Sequence, residues 1–227
     1  MAKVKIWNKK NISLKSKVKH YPITSISRSI FSKNYFKNYK EVKKKHKVLD
    51  IGTYYLNNLL PFKDRGCKLF GVETTKDAVA LSKLLRKKLK IKCAIKLGSN
   101  QDLRFKNNYF DFILSLNTIH YEDSLANVNL ALKEIYRVLK PGGCLMVETN
   151  APNHSFKLNA KKYKKNIYIQ KNKKDFRFNQ KFFYFETKKE IIKIFSNFFY
   201  KIEVSLVQEK YPKRSLAFFD IKCFKKN

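Results

Sequence analysis

The chain has 227 residues, of which 44% are apolar and 15% aromatic, so it can bury one good hydrophobic core with appendages. No apolar run approaches the roughly 18 residues of a membrane-spanning helix, and the first residues lack the apolar segment of a signal peptide. We therefore expect a cytoplasmic protein. The four cysteines lie far apart with no CxxC pair, which predicts reduced, mostly buried thiols, with no metal site and no disulfide framework.

The formal net charge of +34 is unevenly distributed along the chain. Residues 1–47 hold 15 Lys or Arg against one acid, residues 151–186 hold 10 against two, and residues 48–150 hold 16 against 10. Such basic flanks would attract nucleic acid, an anionic membrane surface or another acidic partner. An A/T-rich coding sequence gives the same abundance of Lys, Asn, Ile, Phe and Tyr, so both explanations stay open.

The first part of the central region predicts two buried strands with a helix after each. The apolar runs 47–51 and 68–73 have the composition of parallel strands, and residues 55–63 can form a short helix between them. Thr74 followed by Asp77 is a capping signal, after which apolar residues recur at helical spacing up to position 89.

Further strands are predicted at 91–97, 109–116 and 143–149. The clearest helix runs from Leu125 to Leu139, with apolar residues spaced by three and four, and the Pro141-Gly142-Gly143 sequence is expected to stop it. Strands that alternate with helices in this way predict an α/β sheet built from right-handed crossovers.

The C-terminal part begins with a basic and aromatic segment, 151–186, that has no clean period and is predicted to form a lid over the carboxyl edge of the sheet. A helix over 187–198 and a closing strand pair, 202–207 and 216–224, follow it. The predicted organisation is a basic N-terminal extension (1–46) and one domain (47–227), which comprises a core (47–149), the basic insert (151–186) and the C-terminal helix and strands (187–224).

Four stretches carry a resemblance to a known family: VLDIG at 48–52, GVE at 71–73, LGSNQDLRFKNNYFDFILSLNTIHY at 97–121 and EIYRVLKPGG at 134–143. In these the chain resembles class I S-adenosylmethionine-dependent methyltransferases, particularly those with a type 11 methyltransferase domain. The resemblance implies a Rossmann-like α/β fold. It has a mostly parallel seven-stranded sheet, helices on both faces and an antiparallel C-terminal strand.

The resemblance also implies where S-adenosylmethionine binds, because ligands of such sheets lie beyond the carboxyl ends of the strands. Asp50 matches the acid at the methionine end of the cofactor, and Glu73 matches the acid that accepts hydrogen bonds from both ribose hydroxyls. Ser99 and Asn100 stand where the family faces adenine, although a plain turn would explain them too. The full set of expected cofactor-binding residues is Asp50, Gly52, Thr53, Glu73, Thr74, Ser99, Asn100 and Asn117.

His120 is the candidate catalytic residue, since it follows the fourth strand close to where the transferable methyl group would lie. Methyl transfer from a sulfonium depends mainly on holding the acceptor in line with the methyl group. A base is needed only if the acceptor must lose a proton, so His120 acts either as that base or as a residue that shapes the pocket.

The loop after Gly52 departs from the family pattern D-x-G-x-G-x-G, whose glycines adopt backbone angles that are costly for other residues. Tyr54 and Leu56 replace the second and third glycines. Either the loop takes another path that still admits the cofactor, or the pocket is partly filled.

Three functions are therefore compatible with the sequence. The leading one is a methyltransferase that acts on a small-molecule or glycan-like acceptor, which the LNTIHY element favours. The basic flanks with their interleaved aromatic residues favour an RNA or ribosome methyltransferase instead, although the NPPY and paired-cysteine signatures of such enzymes are missing from the sequence. The replaced glycines favour a catalytically impaired binding module. The sequence leaves the oligomeric state open.

Overall fold

A computed structural model describes residues 42–212 and 214–227. The predicted N-terminal extension lies outside these residues, apart from its last few positions. The described elements, in chain order, are β1 (Lys47–Ile51), a first 3-10 turn (Asn57–Leu59), α1 (Leu60–Asp64), β2 (Lys68–Glu73), α2 (Lys76–Lys88), β3 (Cys93–Leu97), β4 (Phe110–Leu116), a second 3-10 turn (Ile119–Tyr121), α3 (Leu125–Val138), β5 (Leu139–Asn150), α4 (Ser155–Leu158), β6 (Ala160–Lys164), β7 (Ile167–Gln170), β8 (Lys181–Phe183), α5 (Lys188–Phe195), β9 (Phe199–Tyr211) and β10 (Arg214–Lys225).

Seven strands form one sheet in the order β3-β2-β1-β4-β5-β10-β9. The first five in chain order pair in parallel, whereas β10 runs antiparallel between β5 and β9. The predicted fold, with its antiparallel C-terminal strand, is thus confirmed. The strand order reverses between β1 and β4, and in sheets of this kind a crevice opens at that point beyond the carboxyl ends of the strands.

Both faces of the sheet carry a hydrophobic core, because β1 and β4 are apolar on both sides. Leu49 and Ile113 point to the core that includes α3 and α5. Val48 and Phe112 point to the opposite core, which includes α1 and α2. Helices therefore cover both faces, and the ends of β1 and β4 are held rigidly from two sides.

Two predicted boundaries were wrong. The N-cap of α2 is Thr75, whose hydroxyl accepts a hydrogen bond from the Ala78 amide, and not Thr74. Helix α3 ends at Val138 rather than at the Pro141-Gly142-Gly143 sequence, because Leu139 is already extended and pairs with Phe110. The three turn residues instead lie in an irregularity of β5, before regular pairing resumes at Cys144.

The insert is more regular than its sequence predicts. It contains α4 and a separate three-stranded antiparallel sheet, β6-β7-β8. These strands are short, so they show no period of their own, and tertiary packing determines them. The aromatic run Phe182–Phe185 is fully or almost fully buried.

The described helices and the four cysteines bear on two expectations from the composition. Within residues 42–212 and 214–227, no helix has both the length and the apolar character needed to cross a bilayer. All four cysteines are free thiols, and three of them are buried, as the sequence predicts for most of them.

Candidate active site

The carboxylate of Asp50 lies at the end of β1 and is completely buried. Neither of its oxygens has a hydrogen bond of good geometry, although Thr53 and Asn58 are close enough to lower its pKa slightly. Burial has the larger effect and, with the nearby charge of Glu73, raises the pKa of Asp50 to about 7. A fully buried carboxylate with no well-formed hydrogen bond is unusual in a folded protein, and such groups cluster at ligand-binding sites.

The loop that follows β1 keeps a left-handed backbone at each position where the family has glycine. The φ angles are 70° at Gly52, 36° at Tyr54 and 64° at Leu56. Such angles are costly for residues with a Cβ atom. Tyr54 and Leu56 therefore adopt backbone angles that glycine would take without strain.

Side-chain packing explains how Leu56 and Tyr54 hold this conformation. The Leu56 side chain is fully buried in the core on the α2 side of the sheet. The Tyr54 carbonyl accepts a hydrogen bond from the Ser82 hydroxyl at 2.8 Å, and the Tyr54 ring packs edge-on against Tyr55, with ring centroids 3.9 Å apart. Leu56 thus points away from the crevice into the core, whereas Tyr54 stays half-buried beside it.

Gly52 occupies a position that no other residue could fill without a rearrangement. A Cβ atom there would lie 2.5 Å from the Cγ2 atom of Thr118, in addition to the strain of its positive φ. Thr118 is itself fixed, because its hydroxyl is 2.7 Å from that of Ser115 at the end of β4. The loop after β1 and the segment after β4 are therefore in direct contact at the switch point of the sheet.

Glu73 lies at the end of β2 and faces the same loop. One of its carboxylate oxygens accepts a hydrogen bond from the Tyr54 amide at 2.5 Å, and the Thr74 amide is a second donor. Glu73 is only 5% exposed, and this burial raises its pKa to about 7 despite the two hydrogen bonds. Each carboxylate oxygen can accept two hydrogen bonds, so acceptor capacity remains for a ligand hydroxyl. The Thr74 side chain, in contrast, is exposed.

Ser99 and Asn100 follow β3, and their surroundings differ. Ser99 is partly exposed and forms a bridge with Asp102, which makes this segment a tight turn. The Asn100 amide donates to Glu122 at 2.8 Å, and the neighbouring Gln101 amide donates to the other oxygen of Glu122 at 2.6 Å. Glu122 therefore ties the turn after β3 to the second 3-10 turn.

Asn117 and His120 follow β4, as the sequence predicts. Asn117 has a φ of 57°, and its side-chain amide donates to the Glu148 carboxylate at 2.6 Å. His120 is 3% exposed, and its Nδ1 atom has no hydrogen-bond partner. Burial, helped by the positive charge of Arg177, lowers the pKa of His120 to about 3.

The insert covers His120 with aromatic side chains. The rings of Phe156, Phe182 and Tyr184 have centroids 6.0 to 6.5 Å from the imidazole. The Tyr121 ring lies 4.7 Å from it and also contacts Phe182. The predicted lid therefore contacts the candidate catalytic residue directly.

Three features of this site could not be recognised from single residue types. The methyl group of Thr118 packs against Gly52 and supports the loop. Gly71 leaves space for the Thr53 methyl group, which would lie only 2.5 Å from a Cβ atom at position 71. Glu122 holds the turn after β3 through its hydrogen bond with Asn100. A residue pattern within one segment gives no signal for contacts between segments that are about 20 to 60 positions apart.

Comparison with known proteins identifies residues 49–147 as a methyltransferase domain. A sterol 4-C-methyltransferase of Caenorhabditis elegans is 27% identical over 122 residues, which is 53% of this chain and 36% of that protein. This chain therefore spans only about a third of the curated relative.

Solved structures share the fold. A SAM-dependent methyltransferase of Methanosarcina mazei superimposes with a TM-score of 0.66 at 18% identity, over 81% of this chain and 94% of that one. A phosphoethanolamine N-methyltransferase 2 of Haemonchus contortus, in complex with phosphomonomethylethanolamine and S-adenosylhomocysteine, gives 0.62 at 16% identity, over 82% and 50%.

The raised pKa of Asp50 predicts that replacing this residue with asparagine stabilises the protein at neutral pH. Folded Asp50 keeps its proton up to about pH 7, whereas in the unfolded chain it loses the proton near pH 4, so stability falls as the pH rises between these values. At about 1.4 kcal/mol per pKa unit, Asp50→Asn should gain roughly 2–4 kcal/mol at pH 8 and little at pH 4. Urea unfolding at both pH values measures this. The exposed Asp64→Asn is the control, and an equal gain in both variants would contradict the prediction.

Proposed function

Because residues 49–147 match a methyltransferase domain and a solved methyltransferase shares the fold, we propose that the chain is a class I S-adenosylmethionine-dependent methyltransferase, and that it transfers a methyl group to a small-molecule or glycan-like acceptor. The observation that supports this proposal is the left-handed backbone at positions 52, 54 and 56, where Tyr54 and Leu56 adopt angles that glycine would take without strain. The buried oxygens of Asp50 and Thr53 lie at the same end of β1 and suit the polar methionine end of the cofactor.

Each part of the cofactor has residues of suitable chemistry. Asp50 and Thr53 would hold the methionine end, Glu73 would accept hydrogen bonds from the ribose hydroxyls, and Ser99 and Asn100 would face the adenine. The bound cofactor would supply an electrophilic methyl group on a sulfonium. Ligand donors would favour the ionised forms of Asp50 and Glu73, so binding would lower both raised pKa values.

On the acceptor side, the protein contributes positioning rather than proton transfer. His120 has a pKa of about 3, so it is neutral at physiological pH and its conjugate acid is too strong for an efficient general base. Its unpaired Nδ1 atom can still accept a hydrogen bond from an acceptor hydroxyl or amine. The aromatic side chains of the insert would exclude water from the reacting groups and restrict the acceptor to an in-line approach.

Cofactor binding can be tested at Gly52. The Gly52→Ala substitution would place a Cβ atom 2.5 Å from the Thr118 methyl group at a residue with positive φ, so the loop must shift. We therefore expect the affinity for S-adenosylhomocysteine to fall at least about tenfold. Gly142→Ala is a matched control, because φ is 64° there and the nearest atom lies 3.0 Å away, in the terminal residue. Calorimetry of the three proteins gives the result. No detectable binding by the wild-type protein at millimolar ligand would refute the proposed function.

The protonation state of His120 can be measured directly. We expect its imidazole resonances, in a protein labelled with ¹⁵N-histidine, to stay those of the neutral form down to about pH 4, because burial opposes protonation. His120→Gln assigns the resonances, and the exposed-solution value near 6.5 is the reference. A titration midpoint between pH 6 and 7 would instead support His120 as a general base.

A second candidate, a catalytically impaired binding module, is favoured by the hydrogen bond from the Tyr54 amide to Glu73 and by the burial of that carboxylate. In this case the hydrogen bond from the Tyr54 amide would occupy the Glu73 carboxylate, and the ribose hydroxyls could not bind to it.

Tyr54→Gly distinguishes the two candidates. Glycine adopts the φ of 36° without strain and removes the ring beside the crevice, and for a competent pocket we expect cofactor affinity to change by less than about threefold. Calorimetry with S-adenosylhomocysteine checks this. Binding that appears only in the variant would support the impaired module. Leu56→Gly is unsuitable for this test, because it would also empty a core position.

A further inference from the structure

A cleft of about 700 Å³ separates the insert from α3 and α5. The first turn of α3, the connection between β6 and β7, and one side of α5 form its walls. None of the residues proposed above to hold the cofactor or to contact the acceptor lines this cleft. It is therefore a separate concave surface, to which the basic insert and the α5 region contribute equally and the first turns of α3 add the rest.

The rim of the cleft is strongly basic. Four exposed lysines line it, and none of them forms an ion pair with an acid among residues 42–212 and 214–227; they are Lys164, Lys165, Lys189 and Lys193. Glu190 is the acidic lining residue, and one of its oxygens already accepts hydrogen bonds from the Asn166 side chain at 3.1 Å and the Glu186 amide at 2.7 Å. The cleft thus has a positive potential that an anion would neutralise.

Helix α3 adds to this potential because its N-terminus opens into the cleft at Ser124 and Leu125. The Ser124 hydroxyl caps the amide of Asn127, while the amides of the first two helical residues have no acceptor within the helix. The positive end of a helix dipole favours an anion at this place. Asp123, the nearest acid in the chain, is hydrogen-bonded to the Asn127 side chain at 2.7 Å.

The floor of the cleft is apolar and rigid. Ile167, Phe183 and Ile194 form it, and all three belong to the main hydrophobic core, with exposures of 2%, 2% and 8%. Leu125 extends the apolar surface to the rim, where it is 46% exposed. A fully hydrated anion would gain nothing from this floor, whereas an apolar group would bury surface on it.

We propose that the cleft binds a single molecule of an amphipathic phosphate ester. Its phosphate lies among the four lysines at the start of α3, and its apolar part lies on the floor formed by Ile167, Phe183 and Ile194. Lysine suits a phosphate as a mobile point charge with three donors. The proposal does not depend on the methyltransferase activity, because it concerns a different surface.

Three probes separate charge from apolar contact: octyl phosphate below its micelle concentration, inorganic phosphate, and octyl glucoside. Calorimetry should show octyl phosphate binding at least about tenfold more tightly than either of the others, since only it satisfies both rim and floor. Leu125→Ser should weaken octyl phosphate severalfold and leave inorganic phosphate unchanged.

The lysines are tested by the fourfold variant K164Q/K165Q/K189Q/K193Q, in which octyl phosphate affinity should fall at least about tenfold. The matched control K83Q/K87Q/K88Q/K90Q removes four exposed positive charges on and after α2, and should change affinity less than about twofold. Circular dichroism melting checks that both variants fold. Equal losses in the two variants, or inorganic phosphate binding as well as octyl phosphate, would overturn the proposal. Binding to phosphatidylcholine–phosphatidylglycerol vesicles without binding of monomeric octyl phosphate would also overturn it.

Discussion

The left-handed backbone between Gly52 and Leu56 is the constraint on which the rest of the site depends. Strained positions of this kind cost about 1–3 kcal/mol each and persist only where the surroundings determine them. Burial of the Leu56 side chain contributes about 1.5–3 kcal/mol, and hydrogen bonds from Ser82 and to Glu73 fix Tyr54. The core on the α2 side of the sheet can therefore offset the strain that glycine would have avoided.

This compensation has an electrostatic consequence. Burial raises the pKa of both Asp50 and Glu73, and the charge of Glu73 raises that of Asp50 further. Glu73 accepts a hydrogen bond from the Tyr54 amide. Among the described residues Asp50 has no such backbone donor, so its burial costs stability, and this supports the proposed ligand-binding role of the site.

The sequence predicted the central sheet and most of its helices, because β1, β4 and α3 have strong apolar patterns and α5 has a clear cap at Thr187. It also placed Asp50, Glu73, Asn117 and His120 at strand ends. The sequence could not predict the backbone angles of the loop after β1. Burial of Leu56 in the core on the α2 side offsets their strain, and that packing involves residues far along the chain. Nor could the sequence predict the sheet of the insert, whose strands have no clear period and whose strand β8 packs against the second 3-10 turn.

The structure also separates two explanations of the high charge that composition alone leaves equivalent. Exposed lysines without ion pairs occur on α2 as well as around the insert, so unpaired charge by itself identifies no binding surface. The insert differs because two of its lysines and two lysines of α5 surround an apolar floor at the start of α3. Positively charged residues select one ligand only where the shape of the surface places several of them around it. The proposed cleft beside α3 and α5 has this arrangement.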